Sequence, residues 1–311
     1  MAISFNLNGL SWVTINAGSA VTMPVLAASY SPKLGVEPFR SGGDINPSMM
    51  RRAGAQPAFI VTVPLSTAWA ALGQFLPVAV TALSMYQASF TGSPALRVGT
   101  AAEVLSLTAT TGKAYARITR IYAVGAPVPM MAADIEIALS ATDGLTDPMT
   151  ISSASLPAAP SNPILHTLGP VVDNTTAKWG SSDWSIDTGL QMEPLQFDGC
   201  FYPTDYRMGA ISARAVIRHV DVVAMMANVG DNGEDATGAG FLLYARAYDA
   251  ASKVLQTTGY SFTFLKAMAR LETITASGTN KSEVALSLES YAAAGSLTYP
   301  ITVATSATLP T

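Results

Sequence analysis

Leu145-Thr146-Asp147-Pro148-Met149-Thr150-Ile151 recurs as Leu297-Thr298-Tyr299-Pro300-Ile301-Thr302-Val303, and each copy runs on through Ser, Thr and Ala to a Leu-Pro pair, Leu156-Pro157 and Leu309-Pro310. The two stretches lie about half a chain apart, and a period of that size bears on architecture before any local pattern does. Four further pairs recur in the same order. Trp12 to Gly18 answers to Trp184 to Gly189, and Tyr30-Ser31-Pro32 to Tyr202-Pro203. Thr110-Thr111-Gly112 answers to Thr257-Thr258-Gly259, and Arg120-Ile121 to Arg270-Leu271. Between the copies, Ser152 to Pro163 is rich in Pro, Ser and Ala with no apolar period, which suits an extended linker. The expected organisation is therefore a first unit over 1–157, a linker over 158–163 and a second unit over 164–311.

Within each copy, apolar and polar residues alternate at period two, the mark of a strand with one face on a core. The clearest runs are Val61-Thr62-Val63, Tyr115 to Tyr122, Asp134 to Ser140, Ala213 to Val222, Ser261 to Leu265 and Glu283 to Glu289. Thr, Val, Ile and aromatics fill them and Gly or Pro clusters separate them, so the expected class is mainly β: two tandem, similar β-sandwich domains. One short helix is expected to flank each sandwich, at Ser66 to Leu72 before Gly73 and at Val222 to Asn228 before Gly230, since Gly is the usual C-terminal stop. The span from Tyr30 to Ile60 reads as a long loop whose counterpart, Tyr202 to Val216, is short. Its Gly- and Pro-rich centre makes Arg40, Asp44, Asn46 and Pro47 candidates for contact with a neighbouring subunit.

Only 12% of the 311 residues are charged, about half the usual share, while 49% are apolar, so much of the surface must be hidden in a core or against partners. The net charge of −4 is spread without basic runs, which argues against sequence-specific DNA reading. No apolar run reaches the roughly 18 residues of a membrane helix and the start lacks a signal pattern, so the chain reads as soluble, cytosolic and not membrane-bound. A single cysteine, Cys200, excludes an internal disulfide and a Cys-based metal site, and reads as a buried thiol.

Catalytic groupings are sparse. His166, just after the linker, reads as a surface or interface residue. His219 and Asp221 would share a strand face and could orient an imidazole for base catalysis, but no Gly-x-Ser-x-Gly elbow or other nucleophile accompanies them. Asp231-Asn232-Gly233-Glu234-Asp235 gathers oxygen ligands without the spacing of a calcium loop, and reads as a solvated acidic turn. The chain is expected to be non-enzymatic and to need no cofactor or metal.

Tandem β-rich units, low charge, one Cys and a long Gly/Pro-rich loop together make the chain resemble the tail tube proteins of long-tailed phages. The likeness covers the whole chain as architecture and rests on no diagnostic motif. It implies a structural virion protein, assembled in the bacterial cytoplasm. Three chains would form a pseudo-sixfold ring, and rings would stack into a channel through which phage DNA passes non-specifically, in contact with other tail proteins. Six lysines are too few to guard many sheet edges, which fits a protein whose edges are paired by neighbours. In such a tube the wall should be neutral or acidic with Arg and Lys mainly at subunit joints, and Asp134, Glu136 and Glu283 are the candidate lumen-facing residues. The alternative is a capsid-decorating, baseplate or receptor-binding module, which would close an oligomer without stacking.

Overall fold

The computed structural model describes residues 7–31, 33–39, 49–89, 101–108, 112–125, 129–154, 164–173, 176–197, 199–226, 229, 234–235, 241–249, 252–275, 282–291 and 298–310. The first half forms β1 (Leu7–Asn16), β2 (Ala20–Pro24), β3 (Ala27–Ser31), β4 (Leu34–Phe39), β5 (Met49–Ala55), β6 (Ala58–Pro64), helix α1 (Leu65–Leu72), β7 (Val78–Val80), β8 (Ala82–Ser89), β9 (Ala101–Thr108), β10 (Gly112–Val124), β11 (Met130–Ala141) and β12 (Thr150–Ala154). The second forms β13 (Leu165–Asp173), β14 (Thr176–Lys178), β15 (Ser181–Asp187), β16 (Leu190–Leu195), β17 (Asp205–Ile211), β18 (Arg214–His219), helix α2 (Val222–Met226), β19 (Glu234–Asp235), β20 (Phe241–Asp249), β21 (Val254–Phe264), β22 (Ala267–Thr275), β23 (Glu283–Ser290) and β24 (Ile301–Thr308). The protein is mainly β, and its strand pairs are antiparallel.

The strand order of the first half returns in the second. One five-stranded sheet runs β12-β9-β8-β1-β2 and another runs β24-β21-β20-β13-β14. Ten of the remaining strands make a sheet in which β19-β22-β23-β18-β15 is followed by β10-β11-β6-β3, with β7 beside β10 as β19 lies beside β22, and β4–β5 and β16–β17 are separate two-stranded hairpins. Finer features repeat too. β10 carries a bulge between Ile118 and Arg120, and β22 one between Leu271 and Thr273. A left-handed residue follows β3 at Lys33 (φ 42°) and β15 at Gly189 (φ 56°). At Gly189 a Cβ would stand 1.8 Å from the Ser212 carbonyl oxygen, so this position tolerates no side chain.

Alternation along β10 and β11 sends Ala114, Ala116, Ile118, Ile121, Ile135 and Ile137 inward, where all are fully buried. The second half does the same with Ala215, Ile217, Leu286 and Leu288. One contiguous core joins the halves. Phe75 of the first half stacks obliquely on Tyr299 at 4.8 Å and faces Phe262 at 6.4 Å, and Trp69 meets Tyr260 edge-on. Helix α1 carries this contact: Leu65, Ala68 and Leu72 are buried, and Gly73 closes it in a left-handed conformation with its N–H on the Trp69 carbonyl at 2.7 Å. Helix α2 is described over Val222–Met226, and Ala227, Asn228, Gly230 and the 158–163 segment lie outside the described residues.

Several sequence landmarks need correcting. The Leu145 and Leu297 stretches do both lead into the last strand of their half, β12 or β24. Trp12 lies in β1 but Trp184 in β15, whose counterpart by strand order is β3. Tyr30 lies in β3 while Tyr202 lies between β16 and β17, and Gly112 opens β10 while Gly259 lies in β21. The bulges set Arg270-Leu271 against Arg117-Ile118 rather than Arg120-Ile121. Strands of Thr, Val, Ala and Ile are nearly interchangeable, so short matches slide between them, whereas pairing and bulges fix position. The supposed loop after Tyr30 contains the hairpin β4–β5, and its counterpart β16–β17 has the same span, 34–55 against 190–211.

Because both halves share one core, Phe75→Ala should lower stability by about 3 kcal/mol or more while unfolding remains a single transition. Two separated calorimetric transitions would contradict a shared core.

Candidate functional site: the joint and the open sheet edges

The halves are joined where β15 pairs with β10, with Arg120 opposite Asp187, Ile121 opposite Ile186 and Tyr122 opposite Ser185. The bulge in β10 turns backbone carbonyls outward just before this pairing, and Thr188 satisfies them. Its N–H donates to the Thr119 carbonyl at 2.9 Å, and its hydroxyl reaches the carbonyls of Ile118 at 2.8 Å and Thr119 at 3.1 Å. Tyr299 then donates its hydroxyl to the Thr188 carbonyl at 2.8 Å, and burial pushes the phenol pKa well up. Thus Tyr299, which stands in the recurring motif where Asp147 stands in the first copy, fastens the joint. Asp147 instead accepts the Met149 N–H at 2.9 Å in a local turn.

On the face away from the core, the joint is crossed by a row of alternating charge. Asp134 on β11, Arg120 on β10, Asp187 on β15, Arg214 on β18 and Glu289 on β23 are successive register partners. Directly opposed residues lie close enough for each pair to add about 0.2–1 kcal/mol. Asp134 also accepts hydroxyls from Thr62 at 2.6 Å and Tyr122 at 3.1 Å. Glu136, two residues along, pairs with Arg117, and Lys33 is 3.8 Å away. Glu283 lies on the same face of the second half, bonded to Ser182 and 4.0 Å from Arg218. The three carboxylates proposed from sequence therefore share one sheet face. That face also carries arginines, which sequence reasoning had assigned mainly to subunit joints: Arg117, Arg120, Arg214, Arg218 and Arg270 all stand beside carboxylates.

The hairpin β16–β17 folds over this face of the first half. Asp205 accepts from Lys113 at 3.2 Å and from Tyr115 at 2.7 Å, and Tyr206 donates to the Leu139 carbonyl at 3.1 Å. Burial, then the bond to Asp205, pushes the Tyr115 phenol up to about 12. By contrast, β3 and the far end of β22 have no further pairing strand among the described residues. All five residues of β3 are exposed, and so are Glu272 to Thr275 of β22. Arg40, Asp44, Asn46 and Pro47 lie outside the described residues, between β4 and β5.

His219 and Asp221 do not share a strand face. His219 is fully buried, and its Nδ1 accepts the backbone N–H of Asp221 at 2.9 Å. Asp221 is not on the strand face but follows β18, where its carboxylate accepts the Ala224 N–H at 2.9 Å at the start of α2. His166, expected at the surface or an interface, is buried edge-on against Tyr260 at 4.7 Å. Cys200 is partly exposed rather than buried, and Glu234 and Asp235 form β19 beside β22, while Asp231, Asn232 and Gly233 lie outside the described residues. Among the described residues no group of three His, Cys, Asp or Glu could hold a metal ion, and no helix is long and apolar enough to cross a membrane. No protein-family model matches the chain, and no curated protein matches it.

Two outcomes follow. Asp187→Lys would set like charges between Arg120 and Arg214, and should cost about 1 kcal/mol at low salt, shrinking as salt is raised; a thermal shift indifferent to salt would contradict the charged row. Burial holds the His166 pKa at about 4, below its ordinary 6.5, so the unfolded chain binds the extra proton and stability falls as pH drops from 6.5 toward 4. This loss is on the order of 3 kcal/mol, and His166→Phe should flatten the melting profile over that window.

Proposed function

We propose that the chain is a structural subunit of a self-assembling tube, the tail tube of a long-tailed phage, built in the host cytoplasm and carried in the virion. In this reading the halves are two copies of one module, three chains close a ring with pseudo-sixfold symmetry, and rings stack around a channel for DNA. The observation that carries it is the repeated strand order, with the halves joined edge to edge within one chain while the equivalent edges, β3 and residues 273–275 of β22, have no pairing strand among the described residues. A join of this kind is head-to-tail, and repetition of a head-to-tail join generates a ring when the rotation closes.

The charge-balanced face adds support. DNA carries one negative charge per about 1.7 Å of duplex, and unpaired Arg or Lys on a channel wall would bind it by releasing counterions. A wall whose arginines are each matched by a carboxylate would hold DNA weakly, and Asp134, Glu136 and Glu283 supply part of that match. No catalytic step is assigned to the protein.

Negative-stain microscopy with mass photometry tests the reading. Three-chain rings that stack into filaments are expected. A closed oligomer that never stacks would favour a decoration, baseplate or receptor-binding role, and monomers at all concentrations would refute assembly altogether.

A further inference from the structure

We infer that β3 of one chain pairs antiparallel with β22 of the next, in the register that β15 makes with β10 inside each chain. The inference rests on the assembly reading and adds to it the edges, the register and the residues.

Equivalent positions follow from the pairings alone. Ala58 and Arg214 open β6 and β18, and they pair with Ser31 of β3 and Asp187 of β15. Ser31, Tyr30 and Ser29 are therefore the counterparts of Asp187, Ile186 and Ser185. Ile118 and Leu271 each precede a bulge and pair with Ile135 and Leu286, so Thr273, Ile274 and Thr275 are the counterparts of Arg120, Ile121 and Tyr122. Repeating the inner joint sets Ser31 opposite Thr273, Tyr30 opposite Ile274 and Ser29 opposite Thr275. β19 meets β22 at Ala269 and Arg270, as β7 meets β10 at residues 114–116, which leaves 273–275 clear.

Burial shows what these edges lack. At the inner joint Ile121 and Ile186 are 0% exposed and Leu190, just beyond, is 3%. Their counterparts Ile274, Tyr30 and Leu34 are 50%, 40% and 49% exposed. The counterparts of three apolar side chains that the inner joint hides are thus exposed, Ile274 on β22, Tyr30 on β3 and Leu34 just beyond β3 at the start of β4, and one head-to-tail contact covers all three. The polar row changes in a compatible way. The charged Asp187–Arg120 pair becomes Ser31–Thr273, a neutral hydroxyl pair of the kind that favours cross-strand contact. β3 holds no charge and no internal proline, the devices that normally blunt an exposed edge. The sequence also limits the pairing: Pro32 stands where Thr188 stands and offers neither N–H nor hydroxyl, so pairing ends at Ser31. The partner is a second copy of this chain, because the complementary edge is its own.

The test is paired cysteines in a Cys200→Ser background, bridged by a short bis-thiosulfonate. Ser31→Cys with Thr273→Cys should link chains into covalent multimers, because both side chains face away from the core. Ser31→Cys with Ile274→Cys should not, because successive side chains alternate faces. Ile274→Lys should raise the concentration needed for assembly about tenfold or more, with the chain's own melting temperature unchanged. Rings that form without linking the first pair would overturn this register while leaving the assembly reading intact. Monomers under all conditions would overturn both.

Discussion

The structure depends on one backbone joint, the hydrogen-bonded pairing of β15 with β10. Without it the second half would end in an exposed strand and the bulged carbonyls of β10 would lose Thr188. Buried backbone groups left without partners are costly, so the joint and the aromatic contact around Phe75 reinforce each other. Tyr299 belongs to both, through its ring against Phe75 and its hydroxyl on Thr188.

A joint of this kind stabilises the chain and exposes a problem. Edge pairing is directional, so joining two similar units consumes one edge of each and leaves the opposite edges unpaired. In this chain the stretches Ala27–Ser31 and Thr273–Thr275 are short, uncharged and partly apolar, and Tyr30 and Ile274, exposed there, have hidden counterparts inside. The hairpin β16–β17, locked over the first half by Asp205 and Tyr206, has its counterpart in β4–β5 at the open end. Solubility of the isolated chain and the self-pairing proposed above therefore draw on the same surfaces.

Much of the fold was legible because alternation is strong where one face is buried. Tyr115 to Tyr122 and Asp134 to Ser140 became β10 and β11, and the helix before Gly73 stopped there. The Leu145 and Leu297 stretches lie at corresponding points of the strand order, although Asp in one does the work of a turn and Tyr in the other reaches the joint. What could not be read was non-local. Trp184 matches Trp12 in letters yet takes the place of Ala28, because position is fixed by partner strands that sequence similarity does not name. The burial of His166 depends on Tyr260, far along the chain, and Asp221 left the strand face because a turn required its carboxylate. The site itself, two open edges with buried counterparts, had no motif; the scarcity of lysine was its one trace in the sequence.

Hydrogen exchange on the protein at high and low concentration measures the central claim most directly, since amide protection reports whether a strand is paired. The amides of Ala27 to Ser31 and of Thr273 to Thr275 should be protected in the concentrated, assembled protein and exchange rapidly on dilution, while those of Ser185 to Asp187 stay protected throughout. Rapid exchange of both edge strands in assembled protein would contradict head-to-tail continuation of the sheet.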